Sequence, residues 1–148
     1  MASAAYTSPS SSDQAVWGKV LMLCGSVERQ LAQALQRQHG IGLSEYRALE
    51  DLAQSAEGEL RMQELADRIG LGQSSVTRLV GRLDAAGFAY KDLCPADRRG
   101  VYTVITDDGR KRYSEARVTY TEVLSSALNT AGADPQFARM VQALRSAT

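Results

Sequence analysis

The spacing of Ala66, Gly70 and Val76 constrains the fold of this chain more than any other feature. A helix-turn-helix joins two helices at a steep angle through a short turn. It needs a small residue where the first helix presses on the second. It also needs a residue that tolerates positive φ at the turn and an aliphatic or β-branched residue inside the second helix. Ala66, Gly70 and Val76 fill these roles at steps of four and six residues, with Leu65, Ile69, Leu71 and Leu79 as the surrounding core. Residues 62–70 read as the first helix, Leu71-Gly72 as the turn and residues 73–86 as the second helix, stopped by Gly87.

The second helix is the informative one. Its exposed face is expected to carry Gln73, Ser74, Ser75, Thr77, Arg78 and Arg82, and no acidic residue occurs from position 73 to 83. Short hydrogen-bonding groups followed by guanidinium groups suit base edges and phosphates in a major groove. Two β-prone runs follow, at 88–94 and 101–106, joined by Pro95-Ala96-Asp97-Arg98-Arg99-Gly100. Turn formers between two such runs predict a hairpin, and its tip is basic. Helix-turn-helix plus hairpin is a winged helix, with Lys91, Arg98 and Arg99 as the wing's cations. Arg99 has a second reading, an intramolecular bridge to Asp97 that shapes the wing.

Long helices flank this segment. Val16, Val20, Leu23, Val27, Leu31 and Leu35 recur at three- and four-residue steps over 14–38, with Asp13 as a cap and Gly40 at the end. About 25 residues at 1.5 Å each make a rod of roughly 37 Å, longer than a small domain needs. Such a helix is expected to pack against something beyond its own domain. Ser44 is expected to cap a helix whose inner face holds Tyr46, Leu49, Leu52 and Ala53, with Arg47 and Asp51 paired outside. Residues 59–61 are long enough for a one-bridge strand. Thr106 is expected to cap another long helix with Asp107 and Asp108 in its first turn, and Asp134-Pro135 to open a last one.

Composition excludes more than it proves. The chain of 148 residues has 17 basic and 17 acidic side chains, so bulk charge does not mark a polycationic protein. The zero is uneven: residues 61–112 hold ten basic and seven acidic residues, the remainder seven and ten. The longest apolar run, Val20-Leu21-Met22-Leu23-Cys24, is far below the roughly 18 residues of a membrane span. No basic region followed by an apolar core stands at the start, so no membrane association and a cytoplasmic location are expected. His39 is the sole histidine and the two cysteines, Cys24 and Cys94, form no CxxC pair. A Cys/His metal site and Ser-His or Cys-His catalysis both lack their partners, so no cofactor, no metal and no enzyme activity are expected.

At this point the chain resembles the MarR family of bacterial regulators. The carriers are Gly42-Leu43-Ser44-Glu45-Tyr46-Arg47-Ala48-Leu49, Leu65-Ala66-Asp67-Arg68-Ile69-Gly70-Leu71 and Ser74-Ser75-Val76-Thr77-Arg78-Leu79-Val80. Asp97-Arg98-Arg99 and Ile105-Thr106-Asp107-Asp108-Gly109 resemble the family's wing signature, with Ile105 in place of Leu. The resemblance implies a mainly α fold with a small β-hairpin wing, a winged helix-turn-helix between long dimerisation helices. In those terms residues 1–13 are a disordered tail, 14–41 a dimerisation helix, 42–106 the DNA-binding domain and 107–148 the C-terminal dimerisation helices. It implies a homodimer on a pseudo-palindromic double-stranded DNA operator, acting as a ligand-responsive repressor. It also implies a small-molecule effector, such as an aromatic acid, for which Trp17, Arg29, His39, Tyr46 and Arg47 are the candidate binding residues.

Alternatives stay open. A thiol on the apolar stripe, Cys24, is expected to be buried and inert. Cys94, near Arg98 and Arg99, leaves room for a redox-responsive regulator. The helix pair also permits an αα-hairpin with no DNA role, and the whole chain a dimeric interaction module without DNA binding.

Overall fold

In the computed structural model, residues 9, 11–93 and 100–147 are described. The expected tail over 1–13 therefore lies largely outside the described residues, and Cys94, Arg98 and Arg99 lie wholly outside them. The chain forms helices α1 (Ser11–His39), α2 (Leu43–Gln54), α3 (Met62–Ile69), α4 (Gln73–Ala85), α5 (Asp107–Gly132) and α6 (Ala138–Arg145). Three strands, β1 (Glu59–Arg61), β2 (Ala89–Leu93) and β3 (Val101–Ile105), make one antiparallel sheet in the order β1-β3-β2.

Several elements follow from local chemistry. Gly70 takes a left-handed conformation at φ 75°, and the Ala66 carbonyl accepts from the amides of Gly70 and Leu71 at 2.9 and 3.0 Å. The turn thus satisfies a carbonyl that the helix end would leave bare. Thr106 caps α5: its hydroxyl accepts from the Gly109 amide at 3.0 Å and donates to the Gly87 carbonyl at 2.7 Å. That second bond joins the start of α5 to the turn after α4.

Other elements differ from the expectation. Helix α1 begins at Ser11, so residues 11–13 are helical rather than tail, and Asp13 sits in its first turn rather than before it. Gly42, not Ser44, stands at the cap of α2. The Glu45 carboxylate reaches back to the Gly42 amide at 2.9 Å, which satisfies that donor without a cap hydroxyl. Asp134 does accept from the Gln136 amide at 2.9 Å, but it closes a turn, and α6 begins four residues later at Ala138. β1 makes three residue pairs with β3, Glu59 with Val104, Leu60 with Thr103 and Arg61 with Tyr102, where one bridge was expected.

Two compact units divide the chain, and the cuts fall inside α1 and α5. The first covers residues 31–123 and holds the helix-turn-helix and the sheet. Its core gathers Leu35 and Ile41, then Tyr46, Leu49 and Leu52 of α2, Leu65 of α3, Val76, Leu79, Val80 and Leu83 of α4, and Tyr113 and Ala116 of α5. Buried Thr103 donates to the Met62 sulfur at 3.1 Å, so its hydroxyl is not left without a partner. The second unit draws on residues up to Gln30 and from Leu124. Within it Leu23, Val27, Ala127 and Val141 are buried, whereas Val16, Trp17, Leu21, Met22 and Leu144 are exposed. Among the described residues no helix is long and apolar enough to cross a membrane.

Candidate nucleic-acid interface

Helix α4 buries one face and exposes the other. Val76, Leu79, Val80 and Leu83 point into the core, while Gln73, Ser74, Thr77, Arg78 and Arg82 are exposed and Ser75 is half-buried. Helical spacing sets Ser74, Thr77, Arg78 and Gly81 along one solvent strip. The Thr77 hydroxyl donates to the Gln73 carbonyl one turn back at 2.8 Å. Its proton is used inside the helix, and its oxygen can still accept.

A groove of about 470 Å³ opens between the starts of α3 and α4 and the wing strands. Gln73, Thr77 and Lys91, expected from separate parts of the sequence, line it together, and Arg61 and Gln63 join them. Among the described residues that line it, none is acidic. Arg61 and Gln63 were not among the predicted contacts. The sheet register sets Arg61 opposite Tyr102, and the Arg61 Nε donates to the Tyr102 hydroxyl at 3.1 Å. The guanidinium carbon also lies 5.5 Å from the ring centre, within cation–π range. The sequence signal was slight: a basic residue at the end of a strand too short to be assigned a partner.

Arg82 is placed differently from the other predicted contacts. Its Nε donates to Glu45 Oε1 at 3.2 Å, and the other oxygen of the same carboxylate accepts from Gly42. Arg98 and Arg99 fall outside the described residues, as does the bridge expected between Asp97 and Arg99.

The five effector candidates fall in both units of the chain. Trp17 is 61% exposed and Arg29 is exposed, both in the unit of the chain ends. His39, Tyr46 and Arg47 belong to the other unit. The His39 Nε2 pairs with the Thr119 hydroxyl at 2.7 Å, and Thr119 donates to Gln38 Oε1 at 3.2 Å. The backbone carbonyl of His39 accepts from Arg112. Tyr46 is 1% exposed, its ring stacked on Tyr120 at 4.4 Å and tilted against Tyr113 at 5.7 Å. Burial, and then the Glu50 carboxylate, push its hydroxyl above the usual tyrosine range. Arg47 lines a depression of about 340 Å³ with Glu50, Asp51, Arg68 and Tyr120. Burial raises the Asp51 carboxyl, and the Arg68 charge opposes that rise.

Cys24 corrects an expectation: it is exposed, not buried. It sits one step off the line of Leu23, Val27 and Leu31, which are the buried residues of α1 there. Among the described residues no three His, Cys, Asp or Glu side chains lie together as a metal-ligand group.

A helix-turn-helix with its second helix exposed, followed by a hairpin that pairs with a short strand ahead of it, defines a winged-helix protein. A sequence model described as the MarR family matches residues 39–100. The HTH-type transcriptional regulator YkoM of Bacillus subtilis is 31% identical over 75 residues, 51% of this chain and 47% of YkoM. The match thus spans about half the length of that relative. Sco5413, a MarR family transcriptional regulator from Streptomyces coelicolor, is 27% identical with a TM-score of 0.69, over 93% of this chain and 96% of that one. Sco3205, a MarR family regulator from the same organism solved in complex with DNA, has a TM-score of 0.77 at 24% identity, covering 97% and 89%. Residues 39–100 thus match the MarR family model, and the chain is similar over most of its length to solved MarR family transcriptional regulators.

Proposed function

We propose that this protein binds double-stranded DNA as a homodimer, represses transcription from a pseudo-palindromic operator, and is released by a small acidic effector. The observation that carries the DNA part is the exposed strip of α4 continuing into a groove that Gln73, Thr77, Lys91 and Arg61 line, with no acid among its described lining residues. Ser74, Ser75 and Arg78 read base edges or meet phosphates, and the wing cations Lys91, Arg98 and Arg99 meet the neighbouring backbone or minor groove. The DNA held by Sco3205, a protein of the same fold, supports this reading.

The dimer reading is supported by the apolar side chains that the terminal unit leaves in solvent. Val16, Trp17, Leu21 and Met22 are each more than half exposed, an arrangement typical of surfaces covered by a partner. The candidate place for the effector is the depression that Arg47 and Arg68 line together with Glu50, Asp51 and the Tyr120 ring, which offers guanidinium groups and an aromatic wall to a small, partly apolar acid. Such a ligand releases DNA only if it binds the DNA-incompatible spacing of the two α4 helices better than the compatible one.

The test is selection of the protein's own genomic DNA, followed by gel-shift titration of the recovered sequences at several salt concentrations. A two-fold symmetric sequence bound with steep salt dependence is expected. Absence of salt-dependent binding to any recovered fragment would leave an interaction module instead. Sedimentation equilibrium should give twice the chain mass, and a panel of phenolic and aliphatic acids should include one that lowers operator affinity.

A further inference from the structure

We propose that Arg82 is a positioning residue, held through Glu45, rather than a contact to DNA. The inference rests on the DNA-binding reading above and assigns Arg82 and Glu45 a role within it. One carboxylate makes two bonds at once: Glu45 Oε1 accepts from Arg82 Nε at 3.2 Å, and Oε2 accepts from the Gly42 amide at 2.9 Å. It therefore ties the third turn of α4 to the first residue of the turn that starts α2.

That turn is also held from its other side. Two residues before Ile41, the His39 carbonyl accepts from Arg112 of α5, and the His39 ring bonds Thr119 of α5. Ile41 between these ties is buried in the core. The bend between α1 and α2 is thus fastened to α5 on one side and to α4 on the other. Any shift of α1 and α5 that moves the bend pulls on α4 through Glu45. Arg82 and Glu45 are 56% and 20% exposed at their side chains, so as a stability element the pair is modest. Its geometric value is greater than its energy, because both carboxylate oxygens are used and the carboxylate has little freedom to follow Arg82 elsewhere.

A phosphate contact and a clasp predict opposite results. A lysine or arginine that neutralises a phosphate contributes about 0.9 to the slope of log K against log salt. If Arg82 is a clasp, Arg82→Ala and Glu45→Gln each weaken operator affinity by about threefold per clasp, the effect of an exposed pair. The salt slope stays unchanged, and the double variant is no weaker than the worse single one. Affinity should also discriminate less between the operator and versions with one base pair added or removed between half-sites. A loss of overall stability alone would lower all three affinities together and leave their ratios as they were.

The full-length protein and its variants should be titrated against these three DNA fragments at four salt concentrations, with melting curves to show that each variant folds. A slope reduced by about 0.9 per site in Arg82→Ala, with Glu45→Gln binding as well as or better than the parent, overturns the clasp and returns Arg82 to the DNA contacts. Unchanged affinity in both variants overturns it as well. If the parent protein itself fails to bind DNA, the DNA-binding reading falls and this assignment falls with it.

Discussion

Gly109→Ala and Gly81→Ala make the same chemical change in two helices and should move stability in opposite directions. A Cβ at Gly109 would lie 2.1 Å from the Phe88 carbonyl oxygen and 2.9 Å from the Ile105 side chain. Ordinary carbon–oxygen approaches are about 3.3 Å or more, so backbone must open by roughly 1 Å. The Phe88 carbonyl is the acceptor for the Thr106 amide at 3.0 Å, and Thr106 in turn caps Gly109, so the shift strains both bonds. Overpacking costs about 1–3 kcal/mol, and one hydrogen bond about 0.5–1.5 kcal/mol. The helix preference of alanine returns at most about 1 kcal/mol. The net is a loss of about 0.5–3.5 kcal/mol. At Gly81 in α4 nothing lies within 4 Å of the added methyl, so the helix preference alone remains, a gain of about 1 kcal/mol. Urea unfolding at one fixed protein concentration should therefore place Gly109→Ala below the parent and Gly81→Ala above it. In thermal melts each kcal/mol should appear as about 2–4 °C for a chain of this size. A Gly109→Ala midpoint at or above the parent, with no displacement of α5 against Phe88, would refute the packing argument.

Other outcomes test separate links. Arg78→Ala should weaken operator binding by about 1–3 kcal/mol if it reads a base, and a gel shift that does not move removes it from the interface. Gly70→Ala forces a left-handed alanine at the turn and should cost about 1–2 kcal/mol in a denaturant titration. Because Tyr46 holds its proton above the usual range in the fold, the unfolded chain loses that proton first as pH rises through about 10. Stability should fall with rising pH there, and Tyr46→Phe should flatten that limb of the stability–pH curve. Trp17→Glu with Met22→Glu should halve the mass seen by sedimentation, since both side chains are about 60% exposed in the single chain; an undisturbed dimer would move the interface elsewhere.

What could be read from the residues and what could not separates along the range of the interactions involved. The turn at Gly70, the cap at Thr106 and the inward faces of α2 and α4 depend on residues within one or two helical turns, and the periodic pattern carries them. The β-prone runs on either side of the wing were legible for the same reason. The cap of α2 was not, because a hydroxyl at Ser44 and a carboxylate at Glu45 are both chemically able to serve, and the backbone path at Gly42 decides between them.

The local pattern by itself determined that this chain forms a helix-turn-helix followed by a hairpin. Alanine, glycine and valine at those spacings leave few other ways to bury Leu65, Leu79 and Leu83. Tertiary structure decided what the exposed side chains do. Arg61 became part of a groove because the sheet register set it opposite Tyr102, 41 residues away. Arg82 met Glu45 across 37 residues, and Cys24 turned outward because the buried line of α1 runs through its neighbour Leu23. Charge and polarity mark a side chain as able to bind DNA, but the same guanidinium serves a carboxylate equally well. Which of the two it meets depends on how the helices are packed.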